Sequence, residues 1–330
     1  MDEAVNGVSV ILCCYNSVNR LPETLKHLAH QNVENTVSWE IILVNNNSSD
    51  ATAKEAISIW KKLGDPVPLT VVNEKNPGLS FAREKGMAVA NYNVFLFCDD
   101  DNWLQNDYVK IVFNTFQINP EIGAVGGWCE AVFEADKPEW FDAFAGNFAV
   151  GKPATETGCI NNTNQYIYGA GMALRKSTIK SLKQKGFKNI LTDRKGKQLS
   201  SGGDVELIYG LKLINVKVMF QDALFFHHFM PKNRMQWEYL LKLRTSMYWS
   251  NFVLHIYLDA LKNKKVTFKF MLNKIKKSLV YIYTKSKALN KLEPNKGLFL
   301  KNQIEVKKMF LTHTYFYYKT RIALKKIQNG

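Results

Sequence analysis

The chain has 330 residues, of which 46% are hydrophobic and 12% aromatic, and its formal net charge is +15. This length and composition are typical of a globular protein with one large domain or two ordinary ones, and they exclude an intrinsically disordered chain. The apolar runs are far shorter than the roughly 20 residues of a membrane-spanning helix, so we predict no such helix.

The positive charge is concentrated at the C-terminal end. Residues 261–330 hold 18 of the 44 Lys and Arg but only two of the 29 acids, so the first 260 residues are close to neutral. A near-neutral region followed by a cationic one points to an anionic surface, such as lipid headgroups or nucleic acid.

Strand-like and helix-like segments alternate through the first 116 residues. An apolar run at Val8–Tyr15 predicts a buried strand, and leucines at helical spacing predict a helix that reaches about Gln31. The next segments are a strand at Trp39–Val44, a helix from about Ala51, a strand at Leu69–Asn73, a turn at 76–78 and a helix at Ser80–Ala90. This alternation is typical of βαβ units and a mostly parallel sheet.

The apolar strand Val94–Phe97 is followed, after one cysteine, by three consecutive carboxylates, Asp99, Asp100 and Asp101. Ligands of open α/β sheets bind beyond the carboxyl ends of the strands, and adjacent like charges call for a compensating cation. A divalent cation with oxygen ligands is the simplest one, and Asp99 and Asp101 can hold it against a diphosphate. The alternative is a solvated acidic loop that caps a helix starting at Leu104.

The pattern changes after Pro120. We predict a strand at Gly123–Phe133, and we interpret the aromatic segment Lys137–Ala149 as core rather than as the floor of a cleft. Glycines precede Asp204 at a predicted helix start, and Val216–Phe229 supplies two strand candidates that end in adjacent histidines.

From Arg234 onward the sequence is helical. Val266–Tyr283 places apolar residues at three- and four-residue spacing, with lysines predicted on the other face; these residues are Phe268, Leu272, Ile275, Leu279 and Ile282. Such a helix can lie in a membrane interface. The alternative is that it packs on the rest of the protein and that its lysines are solvated.

Five blocks of residues, taken together and in order, resemble the family 2 glycosyltransferases of the GT-A fold, from about residue 8 to residue 245. The blocks are SVILCCYN, EIILVNNNSSDAT, NPGLSFAREKG, FLFCDDDNWL, and GGDVEL followed by the histidine strand. The resemblance implies an α/β fold with a Rossmann-like, mostly parallel mixed sheet flanked by helices. It implies a catalytic domain at 1–245, divided into a nucleotide-sugar-binding half at 1–120 and an acceptor-binding half at 121–245, before a basic helical region at 246–330.

By this resemblance, Asp101 binds a divalent metal, Mn²⁺ or Mg²⁺, and Asp99 contacts the donor's ribose or the hydration shell of the ion. Asp100 is expected to be a secondary donor-binding residue. A histidine completes the metal shell; His228 is favoured over His227, because successive strand residues face opposite sides and only one of them can point at the donor.

The family pattern assigns the general base to Asp204, within Gly202–Glu206. An acceptor hydroxyl has a pKa far above 7 and needs such a base for its attack. Gly203 departs from the family, which usually has an acid at that position. The alternative for Asp204 is a simple N-cap of the following helix.

The remaining expected contacts lie on either side of the sugar. The donor-binding residues are expected to be Tyr15, Asn16, Asn45, Gly78 and Arg83. Asn45 stands where relatives commonly have Asp, so the identity of the donor's base stays open. Acceptor-side residues are expected to be Trp128, Gly171 and Glu206.

We therefore predict a metal-dependent inverting glycosyltransferase that uses a nucleotide-diphosphate sugar and a glycan or lipid-linked glycan acceptor in cell-surface glycan assembly. An anionic membrane surface is an expected partner, nucleic acid is not, and the oligomeric state stays open. The expected location is the cytoplasm, peripheral on the inner leaflet of the plasma membrane. The rival interpretations are a nucleotidyltransferase of related fold and a nucleic-acid-binding protein with a basic tail.

Overall fold

The computed structural model of the chain describes residues 5–33, 37–162, 164–194, 199–289 and 291–329. The first part alternates strands and helices as expected: β1 (Val8–Cys14), α1 (Leu21–Ala29), β2 (Trp39–Asn46), α2 (Thr52–Lys62), β3 (Leu69–Glu74), α3 (Leu79–Val89), β4 (Val94–Asp99), β5 (Asn102–Leu104) and α4 (Tyr108–Ile118).

The second part is less regular, and it ends in long helices. Its elements are β6 (Ile122–Phe133), α5 (Phe141–Phe144), a 3-10 turn (Ala145–Phe148), β7 (Gly158–Cys159), β8 (Ala173–Arg175), α6 (Lys176–Gln184), α7 (Gly203–Leu213), β9 (Lys217–Met230) and a second 3-10 turn (Lys232–Met235). The C-terminal helices are α8 (Trp237–Leu261), α9 (Phe268–Leu289), α10 (Pro294–Thr312) and α11 (Thr314–Asn329).

The described residues form a nine-stranded mixed sheet in the order β3-β2-β1-β4-β8-β6-β9-β5, with β7 paired to β9. Strands β1 to β4 are parallel, β8 is antiparallel to both its neighbours, and β6 and β9 are parallel to each other. The predicted α/β fold with a mostly parallel sheet is confirmed. The chain reverses its direction of travel across the sheet between β1 and β4, and in open α/β sheets this switch point is where ligands bind.

One prediction for the histidine region was wrong. The segment expected to form two strands is one continuous strand, β9, which stays paired with β6 through a register irregularity between Gly126 and Trp128. A side chain at Gly127 would overlap the backbone oxygen of Leu224, so this glycine lets the two strands approach closely at the irregularity.

The residues after the aspartates form a short strand rather than a helix start. In β5, Asn102 pairs with His228 of β9, and the helix begins later, at Tyr108. This ladder brings the acidic run and the histidine together, although Asp101 and His228 are 127 positions apart in the chain.

The aromatic segment after β6 is core, as predicted. Phe141, Phe144 and Phe148 are buried and pack with Met230 and Leu240 in a separate cluster beside the sheet. Phe148 also reaches the wall of the cleft described below.

The C-terminal helices pack on the sheet-containing part of the chain. Phe310, Tyr317 and Leu324 belong to the same buried cluster as residues of β1, β4 and α7. Helix α8 runs through position 245, where the sequence predicted a domain boundary, and the division of the chain into domains stays a prediction. Within the described residues, no helix has both the length and the hydropathy needed to cross a bilayer.

Helix α9 lies where it was predicted, but only part of its predicted apolar face packs on the protein, through Ile275. Met271, Ser278 and the largely buried Lys274 face the bundle, and Lys274 pairs with Asp259 of α8. Phe268, Leu272 and Leu279 of the predicted apolar face are exposed. The tail therefore packs on the protein and still presents an apolar strip.

Candidate active site

A cavity of about 340 Å³ opens at the carboxyl ends of β1 and β4, at the switch point of the sheet. Asp101 and Asp204, which come from opposite halves of the sequence, both line it. The predicted site residues that line this cavity are Tyr15, Gly78, Arg83, Asp99, Asp100, Asp101, Asp204 and His228.

Two basic side chains contact the carboxylate of Asp101. Its Oδ2 lies 2.9 Å from a guanidinium nitrogen of Arg234, and its Oδ1 lies 3.4 Å from Nε2 of His228. Burial by itself raises the pKa of Asp101, but the charges of His228 and Arg234 outweigh burial and hold that pKa well below its usual range. Asp101 is therefore ionised at any physiological pH.

Asp100 faces the opposite way and anchors helix α1. Arg20 donates to it at 2.6 Å, the Ser17 hydroxyl donates to the same carboxylate, and Thr24 donates to the backbone oxygen of Asp100 at 2.8 Å. Burial, reinforced by Asp101, raises the pKa of Asp100 despite the guanidinium of Arg20. The side chain of Asp100 thus holds the first loop in place beneath the cleft.

Asp99 is the most exposed of the three acids. A guanidinium nitrogen of Arg83 lies 4.0 Å from its carboxylate, while the guanidinium itself stacks on Phe97 at 4.9 Å. Burial raises the pKa of Asp99, and Arg83 opposes this shift. Arg83 is itself buried, so its charge acts on the cleft with little screening by water.

Asp204 lies in the first turn of α7, two residues after the N-cap position, which is occupied by Gly202. Its two carboxylate oxygens accept hydrogen bonds from the backbone N–H groups of Gly169, at 2.7 Å, and Val205, at 2.9 Å. Each oxygen keeps acceptor capacity beyond these bonds. Asp204 is therefore held in a fixed orientation on the cavity wall and does not occupy the N-cap position.

The structure separates the two histidines. His228 lies in the cavity wall beside Asp101, whereas the ring of His227 packs edge-on against Phe225 at 4.9 Å between centroids. The alternation of side chains along β9 produces this difference.

Two expected donor contacts lie behind the cavity wall. Asn16 accepts a hydrogen bond from the Ser49 N–H at 2.8 Å, which fixes the loop beside Tyr15. Asn45 donates to Asn73 at 2.9 Å, and its neighbour Asn46 lines the cavity instead and accepts from the Gly78 N–H at 2.8 Å.

The three expected acceptor-side residues also lie outside the cavity lining. Trp128 donates its indole N–H to the backbone of Asp222, and Gly171 packs at the Tyr108 hydroxyl with a left-handed φ of 71°. Glu206 is fully buried and accepts hydrogen bonds from backbone N–H groups near Leu191 and from the Tyr257 hydroxyl. Contact of these residues with an acceptor stays a prediction.

The residues present can supply part of the ligand set of a divalent metal ion, and the ion would take its remaining ligands from other groups. Within the residues that the structure describes, no group of three or more His, Cys, Asp and Glu is arranged to hold an ion. Asp101 and His228 supply one carboxylate and one imidazole to the same cavity, and Nδ1 of His228 is buried without a hydrogen-bond partner. Mn²⁺ accepts both kinds of ligand and Mg²⁺ chiefly the carboxylate, and either ion takes the others from phosphate oxygens and water.

Sequence reasoning missed several residues of the cavity wall. Asn46, Arg20, Asp193 and Arg194 all line it. Asn46 could have been found from the alternation of side chains along β2. Arg20 could have been found as the basic residue at the start of α1. Asp193 lies in an irregular segment without any motif, and only the fold brings it to the cleft.

Comparison with known proteins identifies a family for the chain. The model of the family described as Glycosyl transferase family 2 matches residues 9–182. Among curated relatives, the chain is 28% identical over 137 residues to a glucosyl-dolichyl phosphate glucuronosyltransferase of Haloferax volcanii, which is 41% of this chain and 42% of the relative. It is 32% identical over 125 residues to the poly-beta-1,6-N-acetyl-D-glucosamine synthase of Staphylococcus epidermidis, covering 38% of this chain and 29% of the relative.

The aligned regions thus span less than half the length of these relatives. Among solved structures, residues 1–349 of TarS from S. aureus, in complex with UDP-GlcNAc, superpose with a TM-score of 0.50 at 16% identity, over 93% of this chain and 92% of that one. At this identity the likeness concerns the fold alone.

Proposed function

The chain belongs to glycosyl transferase family 2, and from this membership we propose that it is a metal-dependent, inverting enzyme that moves a sugar from a nucleotide-diphosphate sugar to an acceptor hydroxyl in cell-surface glycan assembly. That it is a glycosyltransferase follows from the family and excludes the nucleotidyltransferase interpretation. The observation that carries the finer proposal is the shared cavity, which has Asp101 on one side and Asp204 on the other.

The donor occupies the end of the cavity formed by β1 and β4. A departing nucleoside diphosphate is strongly anionic, and Arg20, Arg83, Arg194 and Arg234 all line this cavity. Asp101 and His228 would hold the metal, which when bound supplies Lewis-acid stabilisation of the leaving diphosphate. In this proposal Tyr15 and Asn46, which line the cavity, contact the nucleoside, and Asp99 contacts its ribose.

Asp204 takes the proton of the acceptor hydroxyl. Its orientation, set by two backbone N–H groups, supports a general base that does not have to reorient during the reaction. Attack from the side of Asp204, away from the diphosphate, inverts the anomeric carbon. The acceptor then enters over residues of the 121–245 half.

The direct test is a screen of nucleotide sugars for metal-dependent release of nucleoside diphosphate. UDP sugars come first, because TarS has been crystallised with UDP-GlcNAc. We expect at least one donor to be turned over with Mn²⁺ or Mg²⁺ and not with EDTA. Equal turnover with and without the metal in a chelator-treated sample would refute the metal dependence, and no turnover of any donor would refute the proposed reaction.

The exposed strip of α9 supports docking on an anionic membrane. Phe268, Leu272, Leu279 and Tyr283 are 79, 49, 53 and 65% exposed. With 3.6 residues per turn they lie within about 60° of one another around the helix. Lys269, Lys276 and Lys287 follow one edge of the strip, and each basic residue close to anionic lipid contributes about 1 kcal/mol.

Liposome flotation tests this docking. Leu279→Glu should reduce recovery on vesicles that contain anionic lipid, whereas Ile118→Glu, a change at an equally apolar residue that is 78% exposed on α4, should not. Equal recovery of the wild type on neutral and on anionic vesicles would refute the proposal.

A further inference from the structure

Asp193 is a second carboxylate at the base-side end of the cavity. It lies in the irregular segment between α6 and α7, it is buried to 9% exposure, and it lines the same cavity as Asp204. A carboxylate this deeply buried is rare unless specific partners hold it. Its partners are therefore informative.

The carboxylate of Asp193 is hydrogen-bonded to the N-terminus of the helix that carries Asp204. Its Oδ1 accepts a hydrogen bond at 2.9 Å from the N–H of Gly203, the first residue of α7. That N–H has no partner within the helix, and the positive end of the helix dipole favours an anion there. Asp193 thus fixes the residue that immediately precedes Asp204.

Gly203 leaves the space that Asp193 fills. A Cβ atom at residue 203 would lie 2.7 Å from Oδ2 and 2.9 Å from Cγ of Asp193. Gly203 lies in the first helical turn, and its φ is not among the positive ones, so its backbone could carry any residue. The carboxylate of Asp193 occupies the space that a side chain at residue 203 would need, which explains the glycine there.

Arg83 links Asp193 to the other acids of the cavity. Its guanidinium nitrogens lie 3.8 Å from Asp193 and 4.0 Å from Asp99. A Cβ at Gly169 would meet both Arg83, at 2.9 Å, and Asp204, at 2.8 Å, so these two side chains converge on one glycine. One buried guanidinium therefore lies among three carboxylates from three different segments.

We propose that Asp193 is a positioning residue for the base Asp204: it supplies, from another segment, a carboxylate in the volume that Gly203 leaves open, and it fixes both the start of α7 and the guanidinium of Arg83. This inference rests on the proposed function of Asp204. It predicts that a change at Asp193 lowers turnover more than it weakens donor binding.

The groups that face Asp193 set the expected pH behaviour. Burial first, and then the neighbouring charge of Asp204, raise the pKa of Asp193 to about 6, while Arg83 and the Gly203 N–H oppose this shift and Asp99 adds slightly to it. In the wild type, kcat/KM should therefore contain a step near pH 6 that Asp193→Asn removes.

The test compares four variants with the wild type. Asp193→Asn keeps the shape and removes the charge, and Asp142→Asn is the matched control at an acid with a 73% exposed side chain. Gly203→Asp crowds Asp193, and the double variant Asp193→Ala with Gly203→Asp returns one carboxylate to the same volume from the other residue. For each we would measure the melting temperature, the Kd of the donor, and kcat/KM from pH 5 to pH 9.

We expect Asp193→Asn to bind the donor within about twofold of the wild type and to lose at least tenfold in kcat. We expect the double variant to recover most of the turnover that Gly203→Asp alone loses. An active wild type with an Asp193→Asn profile that matches Asp142→Asn, or a double variant no better than Gly203→Asp, overturns the positioning role alone. A wild type that turns over no donor overturns the proposed function and this inference with it.

Discussion

The two ends of the cavity treat their carboxylates differently. At the donor end, Asp100 and Asp101 each meet an arginine at 2.6 and 2.9 Å. At the base end, Asp193 shares Arg83 with Asp99 at 3.8 and 4.0 Å, and Asp204 has two backbone N–H groups within hydrogen-bonding distance. The donor end therefore has close charge pairs, while the base end has one more distant guanidinium and two neutral N–H donors.

This difference suits the two halves of the proposed reaction. A carboxylate such as Asp101, whose cationic partners outweigh the effect of burial, stays ionised and fixed, which a ligand of a metal requires. A general base must keep acceptor capacity for the incoming proton, and the two hydrogen bonds to Asp204 come from neutral backbone N–H groups. Variants at the two ends should therefore fail in different ways.

The largest effect is expected at the base end. Asp204→Asn should lower kcat of sugar transfer by about 10² to 10⁴, the usual range for loss of a general base. Donor affinity should stay within a fewfold, because the amide preserves the shape of the side chain. Transfer kinetics and isothermal titration of the donor measure the two parts, and near-normal turnover would assign the base to another residue.

A smaller loss of turnover, combined with a loss of binding, is expected at the donor end. Asp101→Asn should weaken metal-dependent donor binding and lower kcat/KM by about 10² to 10³, because one charged ligand and the partner of Arg234 are lost. Titration of the donor with and without Mn²⁺ measures this.

Asp100→Asn is the matched change within the same acidic run. It should lower the free energy of unfolding, since Arg20 loses its partner, and affect the metal dependence less. If Asp100→Asn and Asp101→Asn lose metal-dependent donor binding equally, the distinction between Asp100 as the anchor of α1 and Asp101 as the metal ligand is wrong.

The smallest effect is a change in stability with pH. Because the pKa of Asp193 is raised to about 6 from an ordinary value of 3.8, its ionisation costs folding free energy. This cost is absent below pH 3.8 and grows as the pH rises to about 6. Relative to the wild type, Asp193→Asn should therefore gain up to about 3 kcal/mol between pH 4 and pH 7. Urea unfolding of both proteins across this range measures the difference, and parallel curves would contradict it.

Part of this arrangement could be predicted from the sequence. The acidic run after β4 and the position of Asp204 at the start of α7 follow from local patterns, because an apolar run sets the strand and glycines set the helix start. Both side chains lie in one cavity, as the resemblance implied.

Other parts depend on tertiary contacts that no local pattern records. The three residues of β5 are too few to predict as a strand, yet their pairing with β9 is what places His228 beside Asp101. Whether Asn45 or Asn46 lines the cavity depends on which of two successive side chains at the end of β2 points toward it. Asp193 reaches the cavity only through tertiary contacts of residues 190–193 with the start of α7.

The hydrogen bond from Tyr257 of α8 to the buried carboxylate of Glu206 in α7, at 2.7 Å, bears on how this protein could be re-engineered. Burial raises the pKa of Glu206 to about 7, and the phenol offsets part of that rise. A fragment ending at residue 245 would strip this donor from the helix that carries Asp204. The C-terminal helices are therefore not a detachable module, and a chimera that grafts foreign helices after residue 245 would have to restore a hydroxyl at the place of Tyr257.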